Sequence, residues 1–244
     1  MNTLTAILLS RDLDGLLRVC LQHLAGAADG VCQLDLAVLD NASRWPCPAA
    51  FDGAPPFRLH RFDQHRSFAA ACNHGARTSR ADYLLFLNND VLLDRAALRS
   101  MLLAFAEHPG LAICGTRMIF SNRTIQHAGV VFGPGDTGPY HVHRLQPSAQ
   151  VPRTRETFQA TTGACLLMPR AVFEQHGGFD EAYPFGLEDV DLCLRVGQAG
   201  GEIRCRQDTE SLHFESMTPG RVEQDVPSRA LFMQRWKGRY ALDG

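Results

Sequence analysis

Along the 244 residues, short apolar runs alternate with segments of helical periodicity. Residues 4–9 (LTAILL), 34–39 (LDLAVL) and 83–88 (YLLFLN) read as buried strands, because a strand covered on both faces is apolar at nearly every position. Residues 57–62 read as a further strand. Between the first two runs, Leu16, Leu17, Cys20, Leu21 and Leu24 recur every three or four positions, which predicts a helix with Asp12 as its cap. A short Ala-rich helix is predicted over 68–79. Another opens at Asp94, with Leu98, Met101, Leu102 and Phe105 on one face. This alternation predicts an α/β fold, a mostly parallel central sheet flanked by helices.

The pattern then changes. Residues 111–133 suggest two or three strands, and 134–158 form a Gly-, Pro- and His-bearing connection of the length seen in functional lids or disordered segments. A strand is predicted over 160–168, with Pro169 in the first turn of a helix. A helix over 188–199 and a short strand over 202–206 follow. The stretch LFMQRWKGRY reads as a terminal helix or a basic tail. No linker, repeat or low-complexity segment interrupts the chain, so 1–244 is read as a single domain.

Composition narrows the function classes. A net charge of -2 gives no electrostatic case for nucleic acid. No apolar run reaches the roughly 20 residues that span a bilayer. The opening MNTLTAILLS has no basic n-region, so no signal peptide is expected. Eight cysteines without a CxxC pair, most of them in apolar settings, predict free thiols, a reducing cytoplasm and no thiol-bound zinc.

Two predicted strands end in polar clusters, Asp40-Asn41 and Asn88-Asn89-Asp90. Asn and Asp form turns after strands; equally, ligands of open parallel sheets bind beyond the strands' carboxyl ends. Both readings stay open on the residues alone. No GxGxxG or P-loop accompanies them, which removes the dinucleotide-dehydrogenase reading. Glu188-Asp189 follows a Gly-bearing turn and can aim a base at a substrate. Asp180, Glu181 and Asp191 suit local capping or ion pairs. His213 is a core, surface or ligand residue by its type, and His127, His141 and His143 read as surface residues able to touch substrate.

Six segments in register carry a resemblance: VLDNAS (38–43), Phe68 to Gly75 with Asn73, YLLFLNNDV (83–91), IQHAGVVFG (125–133), the stretch 162–196 containing GGFDE and GLEDVD, and LHFES (212–216). Together, from Ala6 to about Met217, they resemble the family 2 glycosyltransferases, inverting enzymes with the GT-A fold, and especially rhamnosyltransferase-like bacterial members. The resemblance implies a nucleotide-binding half over 1–110, an acceptor and sugar half over 111–217, and a tail over 218–244. It implies that Ser10, Asp40, Asn41, Asn73, Asn88, Asn89, Thr162 and Gly163 bind the nucleotide sugar. Asp90, the last residue of a DXD-like motif, and His213 would hold Mn²⁺ or Mg²⁺. Asp189, beside Glu188, would be the general base.

The implied partners are a UDP- or dTDP-sugar, rhamnose preferred, and a glycan or lipid-linked acceptor in cell-surface polysaccharide synthesis. The basic residues Arg221, Arg229, Arg235, Lys237 and Arg239 of the tail read first as a solvated helix face, and second as a peripheral contact with the inner face of the membrane. Departures from the family pattern are Asn88 in place of the first DXD carboxylate, Ser10-Arg11 after the first strand, and HRSFAAA over 65–71. A catalytically silent GT-A domain that binds a nucleotide or a partner enzyme is the alternative. A nucleotidyltransferase is a third reading, one that lacks its Gly-rich signature.

Overall fold

The computed structural model describes residues 2–214 and 221–244, without the side chains of 221–225. Both the end of the resembling stretch at Met217 and the Arg221 side chain therefore lie outside the described residues. The elements in chain order are β1 (Thr3–Ser10), α1 (Asp14–Ala28), β2 (Gln33–Asp40), β3 (Arg58–Arg61), α2 (Phe68–Arg77), β4 (Tyr83–Leu87), β5 (Val91–Leu92), α3 (Arg95–Glu107) and β6 (Leu111–Ile119). They continue with β7 (Ile125–His127), β8 (Val130–Gly133), β9 (Gly138–His141), β10 (Cys165–Pro169), α4 (Arg170–Gln175), α5 (Glu188–Gln198), β11 (Glu202–His213) and α6 (Arg221–Trp236).

The main sheet runs in the order β3-β2-β1-β4-β10-β6-β11-β5, with β7 beside β6. The four strands from β3 to β4 are parallel. β10 enters antiparallel between β4 and β6, which makes the second half mixed. Strand alternation sorts side chains onto two cores. Leu4, Ala6 and Leu8 of β1 and Leu85 and Leu87 of β4 face α1 and α3. Ile7, Leu84 and Phe86 face the side of α2, α4, α5 and α6. Fully burying one such Leu or Phe contributes about 1.5–3 kcal/mol, so two cores on one sheet hold the strand ends rigidly in register. Gly75 lets α2 approach β1, since a Cβ there would stand 2.8 Å from Ile7 Cγ2.

Asp94 caps α3, its Oδ1 accepting from the Ala96 amide at 2.7 Å. Asp12 does not cap α1. It sits at φ +56°, outside the helix, and its carboxylate accepts from the Arg44 amide. The predicted strand 160–168 begins at Cys165, and 202–206 extends to a twelve-residue strand. The 134–158 connection contains β9, which pairs with β8 as a hairpin. The C-terminal stretch is a packed helix: Phe232 and Trp236 are buried. All eight cysteines are buried free thiols. No helix among the described residues is long and apolar enough to cross a membrane.

Candidate functional site

Because β2 lies on one side of β1 and β4 on the other, the chain reverses its direction of travel across the sheet between β1 and β4. A crevice beyond the carboxyl ends of the strands follows from that reversal. Ser10 ends β1, Asp40 ends β2, and Asn88-Asn89-Asp90 follows β4. Asn89 Nδ2 donates to Ser10 Oγ across the crevice floor at 2.9 Å. The start of β10 rises at the same edge, where the Asn88 amide donates to the Ala164 carbonyl at 2.9 Å. One residue earlier, the Gly163 amide donates to Asp189 Oδ2 at 2.6 Å. A single turn, 162–164, thus touches both the DXD-like segment and the acidic pair, so the two clusters lie at the same edge of the sheet.

The polar residues on the β2 side are engaged by the protein itself. Asp40 is fully buried; its carboxylate accepts from the amides of Ser43 (2.9 Å) and Cys47 (3.1 Å) and from Arg61 Nη1 (2.5 Å). Burial alone would raise its pKa, but the hydrogen bonds from Ser43, Cys47 and Arg61 prevail and hold it below the ordinary value. Asn41 clasps the Arg66 main chain at both its amide and its carbonyl. Asn73 binds the Phe179 amide and carbonyl and Glu181 Oε1. It lines a separate cavity of about 570 Å³ between α2 and the Gly177–Glu181 turn.

The other rim differs. His213 ends β11 beside Val91, and its Nε2 stands 3.2 Å from Asp90 Oδ1. Both side chains are nine-tenths or more buried, yet neither ring nitrogen of His213 makes a hydrogen bond to any described residue. A buried polar nitrogen left without a partner costs about 1–3 kcal/mol. A carboxylate oxygen and an imidazole nitrogen converging without a shared hydrogen bond fit a divalent cation between them, and this donor pair suits Mn²⁺ somewhat better than Mg²⁺. No third His, Cys, Asp or Glu joins them among the described residues. Most of the coordination sphere would be left to ligand oxygens and water.

Glu188 and Asp189 open α5 after Gly186 and Leu187, both left-handed (φ +72° and +70°). A leucine in that region is strained, and such strain collects at functional turns. It delivers the two carboxylates to different environments. Glu188 is buried, and burial first, then the charge of Asp189, pushes its pKa well above the usual carboxylate range. Asp189 is partly exposed, its two oxygens accepting from the Val190 and Gly163 amides. One proton-bearing and one accessible carboxyl group stand side by side.

Asp191 is a structural hub: it accepts from Arg195 (2.7 Å), Trp236 Nε1 (2.8 Å) and the Tyr183 hydroxyl (3.2 Å), tying α5 to α6. Asp180 pairs with Arg235, and Lys237 with Asp136. The tail's cations Arg235 and Lys237 are therefore bound within the molecule.

His127 was expected at the surface but is fully buried. Its Nδ1 meets His141 Nδ1 at 2.9 Å and its Nε2 meets Thr161 Oγ1 at 3.0 Å. Burial, then His141, His213 and Arg144, depress its pKa well below the ordinary value, so it is neutral. Gly115 makes room for this contact, because a Cβ there would lie 2.1 Å from Thr161 Oγ1. The setting of His127 between Ile125 and the apolar run 128–132 was the sequence signal for its burial. Arg61 as the counter-ion of Asp40 had no comparable signal.

The family model described as glycosyl transferase family 2 matches residues 15–177. The Sinorhizobium fredii protein y4gI is 31% identical over 185 residues, covering 70% of this chain and 20% of its own length. The O-antigen biosynthesis protein RfbC of Myxococcus xanthus is 32% identical over 161 residues (64% and 12%). The N-acetylglucosaminyl-diphospho-decaprenol L-rhamnosyltransferase of Mycobacterium tuberculosis is 39% identical over 85 residues (35% and 26%). The chain thus spans about a quarter or less of the length of these relatives.

Among solved structures, the Pyrobaculum calidifontis mannosyltransferase PcManGT in complex with GDP-Man and Mn²⁺ superposes with a TM-score of 0.66 at 14% identity, over 98% of this chain and 65% of that one. GalNAc-T7 with UDP, GalNAc and Mn²⁺ gives 0.64 at 11% identity, over 87% and 44%. These likenesses concern the fold. With the family match over most of its length and this sheet order, the chain belongs to glycosyl transferase family 2 and has the GT-A fold.

Proposed function

We propose that the domain is an inverting, divalent-metal-dependent glycosyltransferase that moves a sugar from a nucleotide diphosphate to a glycan or lipid-linked acceptor. The observation that carries this reading is the pairing, across one turn, of a bridgeable Asp90–His213 couple with an accessible, amide-held Asp189. Asp189 accepts the proton of the acceptor hydroxyl as that oxygen attacks the anomeric carbon from the face opposite the diphosphate. The bond from anomeric carbon to diphosphate oxygen breaks, and its electron pair leaves with the nucleotide. The transition state has oxocarbenium character. A cation at Asp90 and His213 would act as a Lewis acid on the departing diphosphate. Glu188, kept protonated by burial, adds no second negative charge beside the base.

Thr162 and Gly163 would line the sugar, with Ser10, Asn88 and Asn89 along the phosphates. Asp40, Asn41 and Asn73 would act on the nucleotide through the loops that they hold. The M. tuberculosis relative's name supports transfer of rhamnose, a deoxysugar, to a lipid-linked acceptor; the carrier nucleotide in this reading is dTDP or UDP. The test is hydrolysis and transfer with a panel of UDP-, dTDP- and GDP-sugars in Mn²⁺. Turnover of one donor that Asp189→Asn abolishes supports the reading. Nucleotide binding without turnover of any donor, in the presence of acceptor lipids, favours a silent GT-A domain.

A further inference from the structure

One stretch of the surface carries exposed positive charge that the proposed chemistry does not use. Residues 58–80 hold five arginines and three histidines against one acidic residue, Asp63, in a chain with 24 basic and 26 acidic side chains. Arg58 is neutralised by Asp35 (2.6 Å) and Arg61 by Asp40 (2.5 Å). Arg66, Arg77 and Arg80 are exposed and form no ion pair with a described residue. The rings of His60 on β3 and His74 on α2 lie 4.0 Å apart, with Phe62 edge-on to both. Burial, then His60, Arg77 and Arg66, disfavour the imidazolium of His74. Asp63 in the 62–67 loop is the acidic residue of this segment, and Glu174, Asp180 and Glu181 line the cavity that Arg77 also lines.

Like charges gathered without counter-ions repel one another, and an anionic surface relieves that repulsion. The cations are spread over a strand, a loop and a helix at the outer end of the sheet, the layout for an extended anion rather than a single enclosed one. The patch also borders the cleft, because Asn41 holds the Arg66 main chain beside the end of β2. The tail, the other basic segment, pairs Arg235 with Asp180 and Lys237 with Asp136.

We propose that the β3–α2 surface docks the domain on an anionic lipid bilayer, with Arg66, Arg77 and Arg80 against the lipid phosphates. A lipid-linked acceptor, as proposed above, would be presented at such a bilayer. Docking itself does not depend on catalysis.

The test is co-sedimentation of the full chain with vesicles of about 30% phosphatidylglycerol in phosphatidylcholine. The expected result is binding to these vesicles and none to pure phosphatidylcholine, weakening with salt. A basic residue near such a surface contributes about fivefold in partitioning, so Arg77→Ser/Arg80→Ser should bind about 25-fold more weakly at an unchanged thermal midpoint. Equal binding to pure phosphatidylcholine, or parent-like binding by the double variant, overturns the proposal. So does a loss caused instead by Lys237→Ser/Arg239→Ser. Displacement by inorganic phosphate at matched ionic strength would mean a single-phosphate pocket, and tighter binding of duplex DNA at the same salt a nucleic-acid surface; either overturns it. Failure of the sugar-transfer reading would leave these outcomes unchanged.

Discussion

The two sides of the strand ends use their polar residues differently. On the β2 side, Asp40 and Asn41 spend their hydrogen-bonding capacity on Arg61 and on backbone amides and carbonyls. On the β4–β11–α5 side, His213 has two buried nitrogens with no described hydrogen-bond partner, Glu188 is held against its ionised form, and Leu187 is left-handed. Satisfied polar groups stabilise loops, whereas orphaned and strained groups cost free energy that a ligand can recover. The difference separates residues that shape the cleft from those that would act in it.

That division is broken or sharpened by substitution. The largest effect is expected at Asp189→Asn, which should lower transfer by roughly 10²–10⁴-fold, the usual range for a general base, with folding retained. Asp40→Ala should act on stability instead. It strands the amides of Ser43 and Cys47, costing about 2–4 kcal/mol, read as a fall of about 5–10 °C in the thermal midpoint. If Asp40→Ala kept its midpoint and lost only nucleotide affinity, the β2 rim would be a ligand site after all.

His127→Leu removes the partner of both Thr161 and His141, and about 1–3 kcal/mol of stability should go with it; His127→Gln should restore part of that. The smallest effect is expected at Glu188→Gln and depends on pH. The folded carboxyl keeps its proton above the ordinary pKa of about 4.3, where the unfolded chain has already lost it. Wild-type stability therefore falls as pH rises from there toward the raised folded value. Denaturation series at several pH values should show Glu188→Gln gaining on the wild type between about pH 4 and neutrality, with the gap closing in acid. A gap that stays constant with pH would remove burial of the carboxylate as its cause.

How legible each part was in the sequence follows from the range of the interactions involved. The parallel strands and the stripes of α1 and α3 were readable because burial on both faces, or on one helical face, leaves a local pattern. Asp12 was misread as a cap because its carboxylate is claimed by Arg44, thirty-two positions away. The full length of β11 was hidden by alternating charges, Arg206, Asp208 and Glu210. The fold neutralises these through Arg206 with Glu156 and Glu210 with Arg117 and Arg153. In the cleft, Asp90 and Asp189 were visible as polar residues after apolar or Gly-bearing segments. The contact of residues 162–164 with both Asn88 and Asp189, and the approach of His213 to Asp90, arise from β10 entering antiparallel and β11 lying beside β5, and no local pattern encodes either. Resemblance alone pointed to them.

The central claim is that Asp90 and His213 are two halves of one cation seat serving a nucleotide diphosphate. Calorimetric titration of the protein with UDP, dTDP and GDP, in Mn²⁺ and in EDTA, tests it most directly. Binding of at least one nucleotide should be about tenfold or more tighter with Mn²⁺, a difference of roughly 1.4 kcal/mol or more, and the gain should vanish in both Asp90→Ala and His213→Ala. Equal affinity in EDTA, or a Mn²⁺ gain that survives both substitutions, would contradict it.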